Sequence, residues 1–346
     1  MRRPGTRPPD PEPVFRGTAA EDLLPKSLPS SRRACQTWHT ILRTGGTALA
    51  ASDALDALLS QGGSTALLAI RGGRVVFARG HNAHRSSLAS VRKSLIGILY
   101  GIAVAEGDID LAATLGDLGI DDLAPLTDRE KQATVADLLA ARSGVYHPSV
   151  YGDDRDRPAR GSHAPGTFWY YNNWDFNVLG TIYRQQTGRT LCEAFRKRVA
   201  EPLGMQDFRP EDIFDLPGPQ SRHPVYKMRL SGRDLARVGV LFLQDGRWEA
   251  EQIVPRRWVE ESVTPHSDLG GGRGYGYLWW TAAANAPGDS LHADWPLFYA
   301  SGAGGQYIII VKPLDLVVVH RAADVDNGIS HARMGEILRA LIAVIL

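Results

Sequence analysis

The chain has 346 residues, 43% of them apolar, with 39 basic side chains against 38 acidic ones. That length allows one large domain, or two intimate ones, around a sizeable core. A near-zero charge balance gives no electrostatic case for nucleic acid or an acidic surface as partner, and no run reaches the roughly 20 apolar residues of a membrane span.

Residues 1–30 are rich in proline and charge and lack an apolar h-region. They are expected to form an extended or disordered tail, not a signal peptide or an anchor. Residues 48–59 read as a helix ended by Gly62-Gly63. Two β-rich runs, 65–70 and 74–79, flank Arg71-Gly72-Gly73, a hairpin signal. Ser90 then opens a helical pattern with Leu95, Ile98, Leu99 and Ile102 on one face, and Gly107 is placed to end it. Between about 111 and 222 helical patches (134–142, 174–187, 191–200) alternate with long loops, which reads as an inserted, mostly helical layer. Residues 231–244 form another amphipathic helix with Asp234 near its start. Strand character returns at 276–281, 297–300, 306–312 and 316–321, the last two joined by a turn at Pro313-Leu314-Asp315. A final apolar helix carries Glu336 and Arg339, which suits packing on a sheet better than a membrane tail.

Strands from both ends of the chain imply one sheet. The expected fold is α/β of the α+β type, an antiparallel sheet flanked by helices with a helical insertion. The sheet layer would take about 45–110 and 223–346 of a domain spanning 31–346. The two cysteines, Cys35 and Cys192, lie in no ligand pattern, which fits unpaired thiols in a reducing, cytoplasmic setting. No histidine arrangement spells a metal helix, so neither a metal nor a cofactor is expected.

Three segments carry chemistry. In Ser90-Val91-Arg92-Lys93 a hydroxyl and an amine stand at i and i+3 on one helix face. A serine hydroxyl needs a base to act as nucleophile, and a lysine can supply it if burial or a nearby cation lowers its pKa. The tetrapeptide alone fits better a capping serine followed by a surface lysine. Arg92 is expected to face solvent or pair along the helix. Pro165-Gly166-Thr167 followed by Tyr171-Asn172-Asn173 offers a proton shuttle in Tyr171 and a positioning amide in Asn173, with Tyr170 as a competitor in register. Asp175 is a candidate contact for a substrate amine. His147 and His163 read as surface loop residues, and Trp169, Trp174, Tyr299 and Tyr307 as core or acyl-pocket packing. Ser301-Gly302-Ala303-Gly304-Gly305-Gln306 enters a strand through glycines that let backbone approach a ligand.

These segments, in this order, resemble the serine β-lactamase and penicillin-binding-protein-like hydrolases, specifically the class C-related branch. ATVADLLAARSGV, PGTFWYYNNWDFNVLG, FRKRVAEPLGMQDF, LSGRDLARVGVLFLQDG and GGQYIIIVKPLDLVVV extend the likeness over about 45–346. The resemblance implies Ser90 as the acylated nucleophile, Lys93 as its base partner and Tyr171 as proton relay. It also implies the N–H groups of Ser90 and Ala303 as oxyanion donors, with Gly302 and Asn173 lining the substrate site. The family's Lys-Thr-Gly is replaced by Ala300-Ser301-Gly302, which points away from β-lactams. The Gly-Ala-Gly-Gly-Gln form is similar to the branch containing 6-aminohexanoate-dimer hydrolase and related esterases. The implied activity is cleavage of a small-molecule amide or ester. The alternatives are an acyltransferase using the same acyl-enzyme and a non-catalytic sensor on this fold.

Overall fold

The computed structural model describes residues 49–152, 156–323 and 326–346; the proline-rich tail and Cys35 lie outside them. Helix α1 (Leu49–Ser60) leads into the hairpin β1 (Ser64–Arg71) and β2 (Arg74–Gly80), then the short β3 (Ser86–Ser87) and α2 (Val91–Glu106). Helices α3 (Val135–Leu139), α4 (Asn173–Thr187) and α5 (Leu191–Phe195) follow, with β4 (Ile213–Gly218), β5 (Ser221–Leu230) and α6 (Gly232–Leu243). The chain closes with the ribbon β6 (Arg247–Trp248) and β7 (Glu251–Gln252), α7 (Arg256–Ser262), β8 (Ser267–Gly270), β9 (Arg273–Tyr275), β10 (Trp280–Ala282), β11 (Leu297–Gly302), β12 (Gln306–Val311), β13 (Leu316–Ala322) and α8 (His331–Ile345).

One eight-stranded sheet has the order β2-β1-β13-β12-β11-β10-β9-β8, and its pairs are antiparallel. The β1–β13 pairing closes the sheet from both ends of the chain, as the distribution of strands predicts. Its central strands β12 and β13 are buried along their whole length because both faces are covered. On one face, Leu67, Ala69, Ile309 and Val318 meet Met334, Ile337, Leu338 and Leu341 of α8. On the other, Leu68, Ile308, Ile310, Val317 and Val319 meet Leu235, Val238 and Phe242 of α6 and share a core with α2 and α4.

Three segments differ from the sequence expectation. Of the run expected as a strand over 276–281, only Trp280 and Thr281 are strand, and residues 276–279 form the turn between β9 and β10. Leu278 sits there at φ 64°, its carbonyl accepting from Ser94 Oγ at 2.6 Å and its N–H donating to the Leu139 carbonyl at 3.1 Å. Contacts to two distant elements thus override a local β pattern. The helix expected over 191–200 changes to a π-turn at Arg196–Ala200. The layer expected to be mostly helical borders a three-stranded sheet, β3-β5-β4, in which β5 pairs with the segment just before Ser90.

Candidate active site

Ser90 stands one residue before α2, at φ −80° and ψ −12°, and its hydroxyl makes no capping bond to the helix. The hydroxyl is therefore not committed to the helix end, as the capping alternative requires. Ala89 before it takes φ 45°, an uncommon state for a residue with a Cβ, of a kind that clusters at functional sites. The segment is pinned from outside. The Leu88 N–H donates to the Met228 carbonyl at 3.0 Å, and the buried Arg321 donates to the Ser86 and Ser87 carbonyls at 2.9 and 3.0 Å.

Lys93 follows in the first turn of α2 and is 1% exposed, so it is not a surface lysine. Its Nζ lies 2.9 Å from Ser90 Oγ, 2.8 Å from Tyr171 Oη and 2.9 Å from Asn173 Oδ1. Burial, then the cations Arg92 and Lys227, hold its pKa well below that of a free lysine. Around it stand the rings of Tyr171 and Phe176, whose centroids are 4.3 and 4.6 Å from Nζ. A neutral amine has two N–H groups and one lone pair. Asn173 Oδ1 can only accept, so the lone pair must face one of the two hydroxyls, Ser90 or Tyr171. Burial raises the Tyr171 phenol, opposed by its hydrogen bond with Ser90 and by Arg92. The pair thus favours its uncharged form, an amine beside a phenol.

Tyr171 and Asn173 owe their places to the start of α4. Asn172 caps that helix, its Oδ1 accepting from the Trp174 N–H at 3.2 Å, while its Nδ2 donates to the Val145 carbonyl and to Asp175 Oδ1 at 2.6 and 2.8 Å. Asp175 also accepts from Ser143 Oγ at 2.6 Å. It is fully buried, and burial drives its carboxyl well above the usual range. Asp175 therefore ties the Ser143-Gly144-Val145 loop to α4 and does not offer itself to a substrate amine. Tyr171 stacks on Trp280 at 5.5 Å, whereas Tyr170 turns to Tyr146 at 5.8 Å, which resolves the register.

The glycine-rich entry meets the serine from the sheet. Gly302 ends β11 opposite Gln306, and a Cβ built there would stand 2.5 Å from the Leu88 carbonyl oxygen and 3.0 Å from the Ser90 nitrogen. Only glycine permits that approach. It puts Ala303 next to the residue that touches the Ser90 amide. Beneath the turn, His320 lies 2.6 Å by Nδ1 from the Gly305 carbonyl and 2.7 Å by Nε2 from Ser64 Oγ. A carbonyl can only accept, so Nδ1 carries the proton and Nε2 accepts from the serine. Burial brings this histidine down to about 4, keeping the ring neutral.

Arg92 departs from its expectation. It is 2% exposed, its Nη1 donating to the Ala89 carbonyl at 3.0 Å and its guanidinium lying 5.1 Å from the Tyr226 ring centroid. The short β5 pairing to β3 buries this face of α2, which helical periodicity alone assigns to solvent. His147 is buried too, 3.5 Å from Glu130, and His163 stacks on Phe168 at 3.9 Å; neither contacts Ser90 or Lys93. Trp174 is core, bound to Asp122 at 2.6 Å. Tyr299 and Tyr307 belong to the α8 side of the sheet, and Trp169 flanks Trp280 at 5.8 Å. Sequence reasoning missed Phe176, Trp280, Tyr226, Lys227 and His320. Phe176 alone left a signal, its position three residues beyond Asn173 on the same helix. Among the described residues no group of three or more His, Cys, Asp or Glu could hold a metal, Cys192 is free, and no helix is long and apolar enough to cross a membrane.

The sequence profile of the Beta-lactamase family matches residues 53–326. A D-aminopeptidase from Brucella anthropi is 31% identical over 105 residues, a segment covering 25% of this chain and only 20% of that protein. Among solved structures, a Bacillus anthracis protein assigned as a 6-aminohexanoate-dimer hydrolase superposes with TM-score 0.64 at 19% identity, over 89% of this chain and 88% of that one. The octameric penicillin-binding protein homologue from Pyrococcus abyssi does so with TM-score 0.64 at 19% identity, over 85% and 76%. At such identities the structural likeness speaks for the fold.

Proposed function

The chain belongs to the beta-lactamase family, and from that premise we propose that it is a serine hydrolase that cleaves a small amide or ester through an acyl-enzyme on Ser90. The observation that carries this reading is the single nitrogen of Lys93 within 2.9 Å of Ser90 Oγ, 2.8 Å of Tyr171 Oη and 2.9 Å of Asn173 Oδ1. Neutral Lys93 takes the Ser90 proton as the oxygen attacks the carbonyl. The oxyanion forms against the N–H groups of Ser90 and Ala303, a pairing supported by the close approach of the preceding Gly302 to the Ser90 nitrogen; one such donor is typically worth about 10²–10³ in rate. Tyr171 returns the proton to the leaving alcohol or amine, and water then releases the acyl group. Asn173 holds the lysine and faces the substrate. The absence of a lysine in Ala300-Ser301-Gly302 directs the activity away from β-lactams, and the D-aminopeptidase likeness makes D-amino-acid amides the first amides to assay beside p-nitrophenyl esters. A fluorophosphonate should label the wild-type chain covalently and leave Ser90→Ala unlabelled. Label retained on the Ser90→Ala variant overturns the assignment.

A further inference from the structure

We infer that Lys227 forms an anion subsite beside the Ser90–Lys93 site, so that the amide or ester cleaved at Ser90 carries a carboxylate that meets the Lys227 ammonium. This rests on the Ser90 reading above. Lys227 lies on β5, opposite Phe214 of β4, and next to Tyr226, whose ring lies under Arg92. Its Nζ stands 3.4 Å from the centroid of the Tyr151 ring. The residue after Tyr151 borders the site directly, since a Cβ at Gly152 would be 2.3 Å from Asn173 Nδ2. The Tyr151–Gly152 segment therefore links Lys227 to a side chain that touches Lys93.

Lys227 is half-buried, yet among the described residues no carboxylate lies within ion-pair distance of it. A partly desolvated cation without a counter-charge is unfavourable, and an aromatic face offsets only part of that cost. Burial and then Arg92 lower its pKa. The charges felt by Lys93 are likewise cationic, Arg92 and Lys227. Two cations, Arg92 and Lys227, thus act on the neutral amine of Lys93, beside tyrosine phenols and an asparagine amide. Arg92 has its Nε and Nη2 buried without partners. An incoming carboxylate supplies a counter-charge that none of the described residues provides. The exposed rings of Tyr151 and Phe214, 43% and 44% accessible, flank the position and suit an apolar spacer between carboxylate and scissile bond.

The test compares matched esters. Mono-4-nitrophenyl glutarate carries the carboxylate on the acyl side, and 4-nitrophenyl 5-oxohexanoate is its neutral counterpart; 4-acetoxybenzoate and 4-acetoxyacetophenone place the same difference on the leaving group. In the wild-type chain kcat/KM should favour the carboxylate member of one pair. Lys227→Met, which keeps an apolar stem against Tyr151, should reduce that preference roughly tenfold, the size of one charge-assisted hydrogen bond. Lys227→Arg should retain it, and added salt should weaken it. An equal preference in the wild type and Lys227→Met for both pairs overturns the inference. Calorimetric titration with glutarate gives a readout without turnover. Binding weakened about tenfold by Lys227→Met supports the subsite even if no ester is cleaved and Ser90 fails to label, whereas absent or unchanged binding overturns it.

Discussion

Lys93 reaches three polar partners from the first turn of α2 while burial and two cations disfavour its ammonium form. In the proposed mechanism the unprotonated amine is the base, so kcat/KM should rise with pH as the lysine–tyrosine pair loses its proton and level off below the ~10.4 of a free lysine. Arg92→Gln removes a cation that opposes protonation. The Lys93 pKa should then rise and the ascending limb of the pH–rate profile move to higher pH; an unmoved limb would show that Arg92 acts only by packing. The same shift bears on stability. Between the depressed folded value and ~10.4 the unfolded chain holds a proton the folded site excludes, so this residue's contribution grows more favourable as pH rises through that window. At neutral pH the buried lysine is thus a liability to the fold, retained at a reactive site.

At the scale of elements, the site is the meeting of a helix start, a second helix start and a strand end. The N-terminus of α2 presents Ser90, the Asn172-capped start of α4 presents Tyr171 and Asn173, and β11 brings Gly302 against the Ser90 amide. The last contact is the tightest. Gly302→Ala places a methyl group 2.5 Å from the Leu88 carbonyl oxygen, so β11 and the Ser90 turn must separate. If the Ala303 N–H is the proposed oxyanion donor, this separation removes it and kcat should fall by about 10²–10³. Steady-state kinetics on the folded variant, with folding verified by circular dichroism, checks this. A fall in stability with kcat unchanged would assign Gly302 to packing alone.

Over the whole molecule, α8 covers one face of the sheet with Met334, Ile337, Leu338, Leu341 and Ile342. Each such buried side chain contributes about 1.5–3 kcal/mol, so together they match the net stability of a typical domain, about 5–15 kcal/mol. Truncation before His331 should therefore give an insoluble or molten chain although every proposed catalytic residue is kept; soluble, cooperatively unfolding protein would contradict this. The dependence is global because β13 pairs with β1, so the same sheet carries both α8 and the strand order that sets β11 beside Ser90.

Much of this was legible in the chain itself. The hairpin at Arg71-Gly72-Gly73, the helix running from Ser90 to Gly107 and the glycine-rich entry to β12 are written in neighbouring residues, whose backbone preferences and short periodicities act over a turn or a strand. The pairing of Ser90 with Lys93 is likewise an intrahelical distance. Only the tertiary structure decided the rest. Tyr171 rather than Tyr170 faces the lysine because Asn172 is fixed by Val145 and Asp175. Arg92 is buried because β5 lies over its face of α2, and Lys227, more than a hundred residues further on, adds its charge to the surroundings of Lys93. Leu278 leaves the β region because Ser94 and Leu139 claim its backbone. In each case the deciding contact lies far off in sequence, and no local pattern carries the charge, the volume or the hydrogen-bond partner that a distant segment will supply.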